Sequence, residues 1–146
     1  MKHLLITLFI FSIVSQYVSA QQKTPADYWL SLSKEEKLTF VNGAYAMASR
    51  LKTHHKVEVQ KQYKGNPTFI EPYYIERYYE IIDEHLSTEV GRNLSLITGS
   101  MDALYANSDN VKIPLTEAIR IVSLAQDGER KKGDLLLLKA QKKYKP

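Results

Sequence analysis

Apolar residues recur at three- and four-residue spacing in four separate stretches of this chain, with glycine, proline or both at the breaks between them. That rhythm lets an α-helix bury one face. The only strand-like alternation is Val57 and Val59 among charged residues, and it fits a short strand or a helix extension equally. The fold class expected is therefore all-α: a single small domain of about four main helices in a compact bundle.

The first predicted helix runs from about Lys34 to about Thr53. Ser33 and Glu36 have the spacing of a capping box. Leu38, Val41, Tyr45, Ala48 and Leu51 form one apolar row, and Phe40, Ala44 and Met47 adjoin it. Gly43 costs this helix about 1 kcal/mol against alanine, which the close approach of another backbone would offset. Pro72 opens the second predicted helix, to about Leu86, with Ile75, Tyr78, Tyr79 and Ile82 on one face. Gly91 is a stop signal before the third, which carries Leu94, Ile97, Met101, Leu104 and Tyr105. Pro114 suits the first turn of the fourth, and Asp127-Gly128 ends it. Between the third and fourth, Ala106 to Asn110 has the composition of a loop.

The ends are less regular. Residues 21–25 read as a frayed start, followed by the apolar cluster Tyr28, Trp29, Leu30 and Leu32. Leu135 to Leu138 is apolar on every side, so its periodicity does not separate a strand from a last helical turn. Lys139 to Pro146 is basic and is expected to be mobile. The organisation expected is a signal peptide over 1–20, a helical domain over 21–129 and a basic C-terminal segment over 130–146.

The signal reading rests on three features. Lys2 and His3 precede the apolar run Leu4 to Val14, and Val18 and Ala20 are small residues at positions −3 and −1 of a cut before Gln21. The apolar run is shorter than the about 18 residues a membrane span requires. Cleavage leaves residues 21–146 at a net charge of +3. There is no cysteine, which excludes a disulfide scaffold, a thiol enzyme, an iron–sulfur centre and a cysteine zinc site. A cysteine-free export product points to a bacterial periplasm or to secretion. The mild charge conceals an uneven pattern. Residues 71–109 sum to −6 and residues 130–146 to +6.

Several constellations bear on chemistry. His54 and His55 are adjacent, so on a helix they diverge. His85 and Glu89 would share a face only if their helix continued that far. No metal site and no cofactor is expected. Glu80 and Glu84 stand at i, i+4, as do Glu76 and Glu80, and paired carboxyls in a cleft serve hydrolases. Their plainer reading is a solvated acidic face. No serine elbow or phosphate loop is present, and no catalytic residue is assigned. Tyr73, Tyr74, Tyr78 and Tyr79 crowd into PYYIERYY. They either line a groove, or Tyr74, Tyr78 and Tyr79 supply core area, and the core reading is the stronger on spacing. Tyr73, Tyr74, Tyr78, Tyr79, Glu80 and Glu84 together form the candidate ligand or partner surface. The basic end carries no nucleic-acid signature.

The order of these features resembles small exported all-helical bacterial proteins of unknown function. The residues concerned are Phe40 and Gly43, then Leu94 to Ile97, Met101, Leu104-Tyr105, Asn110, Ile113-Pro114, Ala118 and Ile121-Val122. More distantly the chain is similar to the Rap/Tai immunity family, over roughly Leu38 to Ala125. That resemblance implies a helical periplasmic protein that neutralises peptidoglycan-cleaving effectors, and it carries over no functional residue. The function expected is an exported, non-enzymatic binding protein, immunity-like or stress-related, acting on a protein partner through a helical surface. The alternatives are a small-ligand carrier with a tyrosine-lined pocket and a small carboxylate-dependent hydrolase. No nucleic-acid partner is expected, and membrane contact is expected only through the signal during export. The sequence admits a homodimer.

Overall fold

The computed structural model describes residues 23–66, 68–90 and 93–145. The expected signal peptide and the stop signal at Gly91 lie outside these residues. The described chain is all-helical: α1 (Pro25–Ser31), α2 (Lys34–Tyr63), α3 (Tyr73–Asp83), α4 (Ser95–Tyr105), a 3-10 turn (Ser108–Asn110), α5 (Leu115–Gln126) and α6 (Arg130–Lys143). No helix among the described residues is long and apolar enough to cross a membrane.

Two helices go beyond the four main ones expected. The first is α1, in the stretch read as a frayed start and an apolar cluster. Thr24 caps it through a reciprocal bond pair with Asp27, and Pro25 stands in its first turn. Seven residues are too few to show a period, so only the cap announces this helix. α1 delivers Trp29, fully buried, whose Nε1 donates to Asp102 of α4 at 2.7 Å. Lys37 of α2 joins the same carboxylate at 2.8 Å, and Phe40 meets the Trp29 ring edge-on. The indole thus ties three helices together. Val41, Ile97, Met101 and Ile113 complete the innermost layer with no exposed surface.

The second is α6, where the sequence left strand and helix open and placed a mobile basic end. The segment is helical to Lys143, Ala140 is buried, and Tyr144 packs against the core rim. Its packing on α5 is set by Gly133. A Cβ there would lie 3.2 Å from the Ile121 carbonyl oxygen, so a side chain at this position would push the two helices slightly apart. The backbone approach anticipated at Gly43 is found here instead. Gly43 is exposed, and nothing lies within 4 Å of where its Cβ would stand.

α2 runs ten residues past its expected end near Thr53 and includes Val57 and Val59. The Ser33–Glu36 capping box forms as the spacing predicted. Thirty residues of α-helix span about 45 Å. The first half of α2 packs on the body. From Lys52 onward its side-chain partners outside the helix are on α3 or on the segment leading into α3. The second half of α2 and α3 therefore form a two-helix arm. α2 ends at Lys64 and Gly65, where the glycine takes a φ of 92°. That left-handed conformation carries a steric cost for other residues.

The two glycines should respond oppositely to alanine. Gly43→Ala is expected to raise stability by about 0.5–1 kcal/mol, as helix propensity dictates at an open site. Gly133→Ala is expected to lower the urea midpoint, because the atom its Cβ meets is backbone of a packed helix. Urea unfolding followed by circular dichroism reads both.

Candidate functional site

α3 brings most of the candidate residues together, and its two flanks and its end do different things. At its end, Glu84 is the C-cap residue and is 4% exposed. Its carboxylate takes Arg120 Nε of α5 at 2.8 Å, with Arg120 Nη2 on the same oxygen. Lys132 of α6 lies at 3.1 Å and Arg77 of α3 at 3.4 Å. The cations are themselves shared: Arg77 also bonds Glu80 at 2.8 Å and Lys132 also bonds Glu129 at 3.1 Å. Burial pushes the Glu84 carboxyl up, but the bonds from Arg120 and Lys132 outweigh it and hold the group below the usual range.

The connection that follows α3 is fixed the same way. Asp127, which ends α5, accepts from the Ser87 hydroxyl and from the backbone N–H of Thr88 at 3.0 Å and Glu89 at 3.1 Å. Burial raises its carboxyl and these donors more than reverse the effect. Tyr45 of α2 shares a 2.7 Å bond with the Ser123 hydroxyl and accepts the Ser87 N–H at 3.1 Å. Burial pushes the Tyr45 phenol up, so it stays protonated. This joint connects arm to body.

One flank of α3 is aromatic. Tyr74, Tyr78 and Ile81 follow one another at helical spacing and are exposed. The Tyr78 ring lies 5.1 Å from the His55 ring of α2. His55 continues the α2 row of Met47 and Leu51, at four-residue steps, and both of those are exposed as well. The two exposed rows approach each other at the His55–Tyr78 contact, where the arm leaves the body. Tyr73 stands apart from this row and is 73% exposed.

The other flank borders a cleft of about 530 Å³ between α2 and α3. Glu76, Glu80 and Asp83 face Lys52 and Lys56 across it, with Tyr79 and Val59 at the apolar end. Lys52 pairs with Asp83, and the Lys56 ammonium sits 4.8 Å above the Tyr79 ring.

Three expectations are corrected by this geometry. The core role falls to Tyr79 alone, 7% exposed and hydrogen-bonded to His55 Nδ1 at 2.9 Å, because α3 turns only the Ile75–Tyr79 side inward. Tyr74 and Tyr78 point outward. The cleft is charged and holds one tyrosine, so it is not a tyrosine-lined pocket. Glu80 and Glu84 do not share a solvated face either: Glu80 is exposed, while Glu84 turns into the joint and is occupied by cations. α3 ends at Asp83, so His85 and Glu89 do not share a helical face, and His85 Nδ1 bonds the Ile81 carbonyl at 2.8 Å instead. Among the described residues, no three His, Asp or Glu side chains converge as a metal would need. Arg120 drew no notice in the sequence, Lys132 was read only as part of the basic end and Asp127 only as a helix stop, because nothing local marks a partner 36 to 48 residues away.

No family model, curated protein or solved structure matches the chain.

The joint yields a pH prediction. Glu84 and Asp127 have folded-state pKa values below their unfolded values of about 4. Their contribution is complete above about pH 5 and is lost as pH falls through the folded values. Glu84→Ala strands Arg120 and Lys132 and should cost about 3 kcal/mol at pH 7. Glu84→Gln should also be less stable at neutral pH but should unfold with a shallower acid limb than the parent. Urea midpoints measured from pH 3 to pH 7 test both.

Proposed function

We propose that this is an exported, non-catalytic binding protein that engages a protein partner through the aromatic face of its helical arm. The observation that carries this reading is the exposure of Tyr74, Tyr78 and Ile81 along one flank of α3, with the Tyr78 ring against His55 of α2. Large tyrosine rings on an exposed helical face supply contact area at low entropic cost, which suits a protein interface. The reading of residues 1–20 as an export signal supports a periplasmic or secreted site of action. The likeness to the Rap/Tai immunity family supports one specific form, in which the partner is a cell-wall-cleaving effector and the arm blocks it.

Asp83–Lys52, Tyr79–His55 and the Glu84 cluster hold the C-terminal half of α3 against α2 and the body.

A photo-crosslinking residue at Tyr74 should capture a defined partner in the periplasm, whereas the same residue at exposed Thr116 on α5 should not. With the purified partner, Tyr74→Ala combined with Tyr78→Ala should weaken Kd at least tenfold by calorimetry while leaving the melting temperature nearly unchanged, since both rings are exposed. Equal capture at both positions, or unaltered affinity of the double variant, would overturn the reading.

A further inference from the structure

A different surface carries an inference beyond the arm's aromatic face. The outward side of α6 bears Leu135 and Leu138, 51% and 64% exposed, set among Lys131, Lys139 and Lys142. None of these lysines makes an ion pair among the described residues. Asp134 is the only acid on this helix. α6 is thus apolar and packed on one side, and apolar and strongly cationic on the other. The cleft flank of α3 has a net acidic lining: Glu71, Glu76, Glu80 and Asp83 outnumber Lys52 and Lys56. Glu71 and Glu76 make no ion pair among the described residues, and Ile70, next to Glu71 in the chain, is 85% exposed.

One chain does not bring these surfaces together. α6 starts at the joint, where Lys132 meets Glu84, and runs down the body to Asn110, which accepts from Gln141 at 2.9 Å. α3, which ends at the same joint, packs instead along the second half of α2. The two helices are similar in length, about 16 Å for α3 and about 21 Å for α6. We propose that α6 of one copy docks in the α2–α3 cleft of a second copy, and that the second copy returns the same contact. The two chains then lie antiparallel about a two-fold axis, and both exposed surfaces are covered in a closed dimer. This pairing uses the flank of α3 opposite the aromatic row and leaves Tyr74 and Tyr78 free.

Sedimentation of residues 21–146 tests it. A dimer is expected that dissociates as salt is raised, since the contacts are ionic at the rim. Lys139→Glu with Lys142→Glu should weaken self-association at least tenfold, and Glu71→Lys with Glu76→Lys should do the same. All four positions are exposed, so circular dichroism should be unchanged. Mixing the two double variants should restore a heterodimer, because one interface is then charge-swapped and the other is native. A monomer at all concentrations, a dimer indifferent to the reversals, or no rescue on mixing would overturn the proposal. So would a monomer that pellets with phosphatidylglycerol vesicles through Lys139 and Lys142, which would assign this helix to a lipid surface.

Discussion

A buried carboxylate surrounded by three cations is a costly thing to assemble, and this fold is arranged around one. Glu84 gathers Arg77, Arg120 and Lys132 from three helices. Its own desolvation works against it, and the guanidinium and ammonium groups offset that cost. The consequence is geometric. α3 has to end where α5 and α6 lie side by side, and the chain has to leave α3 there. Asp127 and Tyr45 then fix the outgoing backbone, so that residues 84–90 have little freedom.

The apolar core supports that joint from below. Trp29, Ile97, Met101 and Ile113 have no exposed surface, and the indole N–H is satisfied by Asp102, itself bonded to Lys37. Among the described residues no fully buried side-chain polar atom lacks a partner. The interior of the body is therefore polar-satisfied. The arm has a buried seam at Ile75 and Tyr79 and exposed apolar rows on either side of the His55–Tyr78 contact. The exposed rings of α3 are the physical basis for the proposed binding surface.

Much of this was legible in the residues. The Ser33–Glu36 cap, the prolines before α3 and α5, and the Asp127-Gly128 stop placed helix ends by local chemistry, because capping needs only neighbours in sequence. The limits of that reading are as informative. α1 was hidden by its length. The second half of α2 was hidden by its polarity, since its packing face toward α3 is built from Lys52, His55, Lys56 and Val59, residues that do not spell an apolar row. α6 was hidden by its lysines, which cover the outward side of a helix whose inward side needs only Gly133, Ala140 and two leucines.

The sequence by itself determined the class of fold and most helix boundaries, because periodicity and caps act over a few residues. It also marked an acidic, tyrosine-rich segment as unusual. Only the tertiary structure decided what that segment does with each side chain. Tyr74 and Tyr79 are near neighbours in the chain with opposite fates, one exposed and one buried. Glu80 and Glu84 likewise separate into a surface ion pair and a buried joint. The reason is that one helical face can be assigned inward only by what packs against it, and the partners that decide it here come from α2, α5 and α6, up to 48 residues away.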